Sequence, residues 1–179
     1  DALITQKRVH PDLKAYIITD EINNSYRSAL NRQFQQLEEN GIRVVVTDLG
    51  KVRDSNPVYA AYYRAYIRHF GLGGEGWMKN PFGDNGPKVT FRNYLRLLNF
   101  KANHRKVLIT DKGAIVSSSN PHDGSSYHSN IAFQFSGAAV KSLLEAEKAV
   151  AAFSGTEIRD VEYRSLSSTI RPNTKVRVL

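Results

Sequence analysis

The hydrophobic and polar positions of the chain follow two periods, which predict alternating strands and helices. Short apolar runs at 13–19 and 42–47, rich in β-branched residues, predict buried strands. Between them, apolar residues recur at helical spacing over 26–39, and Asn40-Gly41 supplies a helix stop. A strand, a helix and a strand joined by short connections form a βαβ unit, so we expect the two strands to pair in parallel.

The next part of the chain predicts more helix and one long loop. A helix is expected from Asn56-Pro57 to about Phe70, with its tyrosines as core and rim residues, and a shorter helix at 90–98. The glycine-rich segment 71–88 between them is predicted to be a flexible loop, and it holds the only Trp and the only Met. It lacks the G-K-[ST] ending of a phosphate-binding loop. A lid, a membrane-facing element and a plain surface loop remain open interpretations of it.

The third part predicts a hairpin, one further strand and a helix. Strands are expected at 106–110, 114–118 and 129–135, with a tight turn between the first two. A final helix is expected at 137–152, and its apolar stripe is interrupted only by Glu147. A parallel βαβ unit and an antiparallel hairpin in one chain predict an α/β domain with a central mixed β-sheet flanked by helices on both faces.

Length and composition narrow the classes of protein. The chain has 179 residues, no cysteine and a net charge of +8, so we expect a single domain without disulfides or thiolate metal sites. The positive charge suits a phosphate-bearing partner, although on charge alone a solvated basic surface is the favoured interpretation. The chain opens at Asp1 and closes on a strand-like alternation at 175–179, which we interpret as the ends of a piece cut from a longer protein. Residues 156–179 would then connect to a missing second half.

A polar motif surrounds the start of the strand predicted at 106–110. His104, Lys106 and Asp111 have the spacing H-x-K-x4-D. In an extended chain, side chains alternate between faces, so His104 and Lys106 share one face while Arg105 and Asp111 take the other. The imidazole and the ammonium can then meet the same ligand. We expect Asp111 to support the site from outside it, and Arg105 to form a salt bridge behind the sheet.

This motif resembles the HKD motif of the phospholipase D superfamily. The preceding segment 99–103, and Ser118 with Asn120 after the next apolar run, look like the bacterial cardiolipin synthase and phospholipase-D-like branch. The resemblance covers most of residues 11–155 and implies a phospholipase-D-like domain, here the N-terminal half of a two-motif enzyme.

The resemblance implies a role for each residue of the motif. His104 would attack the phosphorus of a phosphodiester and form a phosphohistidine, since an imidazole titrates near physiological pH. Lys106, Ser118 and Asn120 would hold the nonbridging oxygens where charge develops, and Asp111 would have a supporting role. The resemblance implies no metal and no cofactor. His122 and His128 with Asp123 are expected to remain without a metal.

Two departures from the family pattern accompany the match. Ser117 stands where the family usually has the Gly of its G-S-x-N segment, and one residue fewer separates it from Asp111, so the hairpin is shorter. The acid often found two residues beyond a later Asn is missing after Asn130, which leaves the group that orients His104 unassigned.

The chain contains only one H-x-K pair, whereas the family's mechanism needs two histidines. The second half-site must come from the same chain of a longer parent or from a second copy of this chain. The favoured interpretation is a cardiolipin-synthase-like transferase or hydrolase that acts on phospholipids. We expect the parent protein to associate with an anionic membrane surface, on the cytoplasmic face. The alternatives are a homodimeric nuclease on DNA or RNA, and a degenerate half-domain that only binds anions.

Overall fold

The structure is a computed structural model, and it describes residues 2–21, 32–81, 88–99, 101–120, 123–159, 161 and 163. The chain divides into two compact units, residues 1–103 and residues 104–179. Each unit holds helices and one small sheet, which confirms the α/β class. The described strands form a two-stranded sheet in the first unit and a three-stranded sheet in the second. One central sheet, a single phospholipase-D-like domain and the connector at 156–179 stay predictions.

The first unit is built on the predicted parallel strand pair. It contains the helices α1 and α2 and the strands β1 and β2, in the order Ala2–Val9 (α1), Tyr16–Asp20 (β1), Arg32–Glu39 (α2) and Arg43–Thr47 (β2). β1 and β2 pair in parallel, with Tyr16 opposite Arg43 and Asp20 opposite Thr47, as expected of a βαβ unit. The chain turns into β2 at Gly41, whose φ of 74° is a conformation that glycine adopts without strain. The predicted helix positions before residue 32 lie outside the described residues.

The helix predicted from Asn56-Pro57 to Phe70 is confirmed. It runs as α3, Pro57–Tyr62, then as a π-helical turn, Tyr63–Ile67, and a 3₁₀ turn, Arg68–Phe70. The side chain of Asn56 caps it by accepting a hydrogen bond from the backbone N–H of Tyr59 at 3.1 Å. Gly71 ends it with a φ of 66°.

The tyrosines of this helix divide between core and surface. Tyr63 is buried, and the hydroxyl of the half-buried Tyr59 donates to the backbone carbonyl of Leu95. Tyr62 and Tyr66 are instead exposed, with their ring centroids 5.2 Å apart. The prediction of core and rim positions therefore holds for one side of the helix, while the other side presents aromatic rings to solvent.

The long loop of the first unit is closed by a short antiparallel bridge. The N–H and C=O of Met78 exchange hydrogen bonds of 3.0 and 2.9 Å with those of Val89, which is buried. Residues 82–87 of the predicted flexible loop lie outside the described residues. The bridge leads directly into α4, Phe91–Leu97, which begins after Thr90.

The second unit is an antiparallel sheet covered by one long helix. Its elements are Val107–Ile109 (β3), Ala114–Ser117 (β4), Asp123–Ser126 (α5), Ala132–Phe135 (β5) and Ala138–Phe153 (α6). The predicted hairpin is confirmed, and its turn is closed by the N–H of Thr110 donating to the carbonyl of Gly113 at 2.8 Å. One face of the sheet packs on α6, where Ala114, Val140 and Leu143 form the buried centre.

Gly76 gives a direct test of the loop closure. A Cβ at this position would lie 2.0 Å from the carbonyl oxygen of Lys88, which is backbone and cannot rotate away. We expect Gly76→Ala to separate the two sides of the bridge at Met78 and Val89 and to lower the free energy of unfolding by about 1–3 kcal/mol. Urea denaturation followed by tryptophan fluorescence measures this change.

Gly73→Ala is the matched control for that variant. No heavy atom lies within 4 Å of a Cβ built on Gly73, so the same added methyl meets open space. Equal stability of the two alanine variants would contradict the close approach of the two segments.

Candidate active site

The chain that leads into the motif is anchored to the ends of the parallel strands. The backbone N–H of Asn103 donates to Oδ2 of the buried Asp20 at 2.6 Å, and its side-chain Nδ2 lies 3.4 Å from Oγ1 of Thr47. Asp20 and Thr47 are the last residues of β1 and β2. Asn103 is therefore held at the carboxyl edge of the parallel pair, where ligand sites commonly lie in open α/β sheets.

Lys101 is a second anchor in the segment that precedes the motif. Its buried Nζ donates to the carbonyls of Leu49 at 3.1 Å and Val52 at 2.7 Å, and lies 2.6 Å from Oδ1 of Asp54. Hydrogen bonds from Lys101 and then from Arg64 hold the pKa of Asp54 below its ordinary value. All three donors of the ammonium are used inside the protein, so Lys101 fixes the segment before the motif to the loop after β2.

His104 and Lys106 come together just before β3. His104 is exposed, Lys106 is half-buried, and Nζ of Lys106 donates to the backbone carbonyl of His104 at 3.0 Å. Burial lowers the pKa of the Lys106 ammonium below its ordinary value. Leu108, two residues further along on the same face, is 58% exposed, so this face of the sheet is open. The exposed His104 and the ammonium of Lys106 thus lie within one short backbone segment before β3.

Arg105 turns to the opposite face and forms the salt bridge predicted from the alternation. Its Nε lies 3.4 Å from Oε1 of Glu147, which explains the one polar interruption in the buried stripe of α6. Burial raises the pKa of Glu147, and the charge of Arg105 opposes that rise.

Ser118 is engaged within the protein. Its hydroxyl donates to Oδ1 of Asn130 at 3.3 Å and accepts a hydrogen bond from the backbone N–H of Ile131 at 3.0 Å. Its own N–H donates to the carbonyl of Ile131 at 2.9 Å. These bonds extend the pairing of β4 with β5. The one proton of the hydroxyl is used in the bond to Asn130, so none is left to donate to a substrate.

The loop that carries Asn120 is organised by residues that sequence reasoning did not single out. The backbone N–H of Asn120 donates to Oγ of the buried Ser125 at 3.0 Å. Nδ2 of Asn130 donates to the carbonyls of Ser125 at 2.6 Å and His128 at 3.0 Å. Asn130 therefore joins the two ends of the loop. Its position after a polar run was visible in the sequence, but its partners were not.

Ser117 is a further candidate that the sequence reasoning did not assign to the site. Its backbone N–H donates to the carbonyl of Lys106 at 2.9 Å, so it lies opposite Lys106 in the antiparallel ladder. Directly opposed residues share a face of the sheet, which places Ser117 with Lys106 and Ser118 with Arg105. The sequence did carry a signal for this placement. The hairpin is one residue shorter than in the pattern that the motif resembles, and a shift of one residue in a strand moves each side chain to the other face of the sheet.

Asp111 lies away from the histidine and the lysine. It is exposed in the turn at the far end of β3, where Oγ1 of Thr110 accepts hydrogen bonds of 3.2 Å from the N–H groups of Lys112 and Gly113. The supporting role of Asp111 stays a prediction.

The loop histidines give no metal site within the part of the chain that the structure describes. His128 is exposed, and His122 lies outside the described residues. Among the described residues, no three His, Asp or Glu side chains lie close enough together to hold a metal ion.

The comparisons with known proteins add no family to this geometry. No protein-family model, curated protein or solved structure matches the chain. Among the helices of the described ranges, none combines the length and the apolar character needed to span a membrane.

The salt bridge of Arg105 can be tested by its loss. We expect Arg105→Ala to lower the free energy of unfolding at neutral pH by about 1–2 kcal/mol, because a half-buried Glu147 carboxylate is left without its cation. The raised pKa of Glu147 means that the folded chain holds this proton more tightly than the unfolded chain does. The loss should therefore shrink as the pH falls toward 4.5, the ordinary value for Glu.

Chemical denaturation at several pH values measures both parts of this expectation. Arg159→Ala is the control, because it breaks a pair with Glu157 in which both side chains are largely exposed. A pH-independent loss in Arg105→Ala, or an equal loss in both variants, would contradict the assigned pairing.

Proposed function

We propose that the chain carries one half of a phospholipase-D-type active site that cleaves phosphodiesters. The observation that carries the proposal is the alternation at 104–106. Arg105 pairs with Glu147 of α6. On either side of it, His104 is exposed and Lys106 is half-buried with a lowered pKa, and the Lys106 ammonium bonds the backbone carbonyl of His104. A partly desolvated ammonium beside an imidazole favours the binding of an anion next to a nucleophile.

The chemistry proposed for this half-site balances in two steps. A neutral ring nitrogen of His104 attacks phosphorus, a P–N bond forms, and the bond from phosphorus to the leaving oxygen breaks. A protonated imidazole from the second half-site gives its proton to that oxygen and then takes one from the incoming water or alcohol. The oxygen of that acceptor forms a new bond to phosphorus, the P–N bond breaks, and neutral His104 is released. Lys106 stabilises the charge on a nonbridging oxygen throughout, with Asn120 and Ser117 as the neutral donors. Ser118 is left out because its hydroxyl proton is bonded to Asn130.

We further propose a phospholipase-D-like fold and a phospholipid substrate, with phosphatidyl transfer of the cardiolipin-synthase type as the reaction. The net charge of +8 supports a phosphate-bearing substrate at an anionic membrane surface. The same charge favours DNA or RNA as the second candidate, with two copies completing the site. Turnover on anionic phospholipid vesicles but not on DNA or RNA would favour the lipid enzyme, and the reverse would favour the nuclease.

The half-site can be tested without its missing partner. Bis(4-nitrophenyl) phosphate releases a nitrophenolate that leaves without being protonated, so His104 needs no second histidine for the first step. We expect a burst of one nitrophenolate per chain, measured by absorbance, that His104→Ala abolishes. His128→Ala is the control, because His128 is exposed in the same unit and contributes only backbone groups to the loop.

A burst that survives in His104→Ala would contradict the assigned nucleophile. A well-folded chain with no burst at all would instead favour the third reading, a degenerate half that binds anions without catalysis. Light scattering on the same sample decides whether a second copy of the chain is present to complete the site.

The lowered pKa of Lys106 predicts how the burst rate depends on pH. Only the protonated ammonium stabilises the phosphate charge, so the rate should fall as the pH rises through a value below 10.5, the ordinary pKa of Lys. Lys106→Arg should slow the burst and move this alkaline limb upward, since a guanidinium stays charged. The same alkaline limb in both proteins would assign the titration to another group.

A further inference from the structure

A small cavity in the first unit collects four cationic side chains that the motif does not use. Its volume is about 120 Å³, and Arg64, Arg68, Arg96 and Lys101 line it. The buried Leu49 and Tyr63 line it as well. Since a water molecule occupies about 30 Å³ of liquid, the cavity has room for one phosphate group.

Acidic groups pair with the cations at this cavity unevenly. Asp54 pairs with Lys101 at 2.6 Å and with Arg64 at 2.8 Å, and Glu21 pairs with Arg96. Within the described ranges, one carboxylate is thus shared between two cations, and Arg68 has no ion pair. Like charges gathered around a small cavity repel one another, and an anion inside it would relieve that repulsion.

Arg64 and Arg68 supply the donors for such an anion. They are four residues apart along one continuous helical stretch and both are exposed, so they lie on the same side of it. Asp54 takes a hydrogen bond from only one nitrogen of Arg64, and among the described residues Arg68 has no ion pair. Guanidinium groups offer planar forks of N–H donors that match the oxygens of a phosphate.

A further polar group at the cavity indicates what the ligand carries besides its phosphate. Asn99 lines it, and Oδ1 of its side chain is buried without a hydrogen-bond partner in the described part of the chain. A buried acceptor of this kind is costly unless a donor reaches it. A ligand that carries a hydroxyl group beside its phosphate would supply that donor.

We propose that this cavity is a binding site for a phosphate monoester that bears a hydroxyl group, separate from the half-site at His104 and Lys106. Arg64 and Arg68 hold the phosphate, Lys101 and Arg96 add positive charge, and Asn99 accepts a hydrogen bond from the hydroxyl. The same chemistry is presented by a soluble phosphorylated polyol and by the headgroup of a lipid that carries a terminal phosphate and a free hydroxyl.

Titration calorimetry with glycerol 3-phosphate at constant ionic strength tests the site. The background is Lys106→Ala, so that binding at the proposed catalytic half-site does not contribute and either proposal can fail without the other. We expect one ligand per chain and at least tenfold weaker binding in Arg68→Gln. Arg43→Gln is the matched control, because Arg43 is exposed at the start of β2 and does not line the cavity.

Vesicles of phosphatidylcholine containing lysophosphatidic acid, which keeps a free hydroxyl beside its phosphate monoester, distinguish the two sources. Binding to glycerol 3-phosphate alone would assign a soluble ligand, and additional binding to these vesicles that Arg68→Gln weakens would assign the lipid headgroup. Absence of binding to both probes, or equal affinities in Arg68→Gln and Arg43→Gln, would overturn the site.

Discussion

The half-buried pair of Arg105 and Glu147 is the interaction on which the proposed site depends. β3 is only three residues long, so its own ladder does little to decide which face each neighbouring side chain takes. Arg105 is held against α6 by charge, and Val107 and Ile109 continue the same face by packing against the buried centre beneath α6. Because neighbouring residues of an extended chain alternate between faces, this pairing would leave His104 and Lys106 toward the open face. A carboxylate in the apolar stripe of a helix is costly, and the charge of Arg105 offsets part of that cost.

Within the first unit, polar groups fix the residues that precede the motif in the sequence. Lys101 and Asn103 lie two residues apart, and both are bound to groups that follow or end the parallel strands. Such bonds to backbone carbonyls and to a buried carboxylate have a defined direction, whereas apolar contacts do not. The segment that leads to His104 is therefore fixed by hydrogen bonds more than by burial. Asp54 pairs both with Lys101, which fixes this segment, and with Arg64, which lines the cavity. One carboxylate therefore serves the fold and the proposed anion site.

Periodicity in the sequence was sufficient for the regular elements and insufficient for the details of the site. The parallel pair, the helix after Asn56, the hairpin and α6 followed from spacing, because burial of one face dictates them. The exposure of Tyr62 and Tyr66 could not be predicted in this way. Tyrosines recur on both sides of this helix, and their spacing does not tell which side is buried. Ser117, and not Ser118, shares a sheet face with Lys106. This placement depends on the register of the hairpin, which changes when the hairpin is one residue longer or shorter. The partners of Asn130 are set by tertiary structure, which no local pattern records.

The central claim is that His104 is a nucleophile toward phosphorus, and the most direct measurement is the site of covalent attachment. The chain would be mixed with bis(4-nitrophenyl) phosphate, quenched in base to preserve a P–N bond, digested and mapped by mass spectrometry. We expect one modified peptide, with a 4-nitrophenylphosphoryl group on His104 that is lost on brief exposure to acid. A phosphorylated serine or a different histidine, or an unmodified His104 in a chain that has released nitrophenolate, would contradict it.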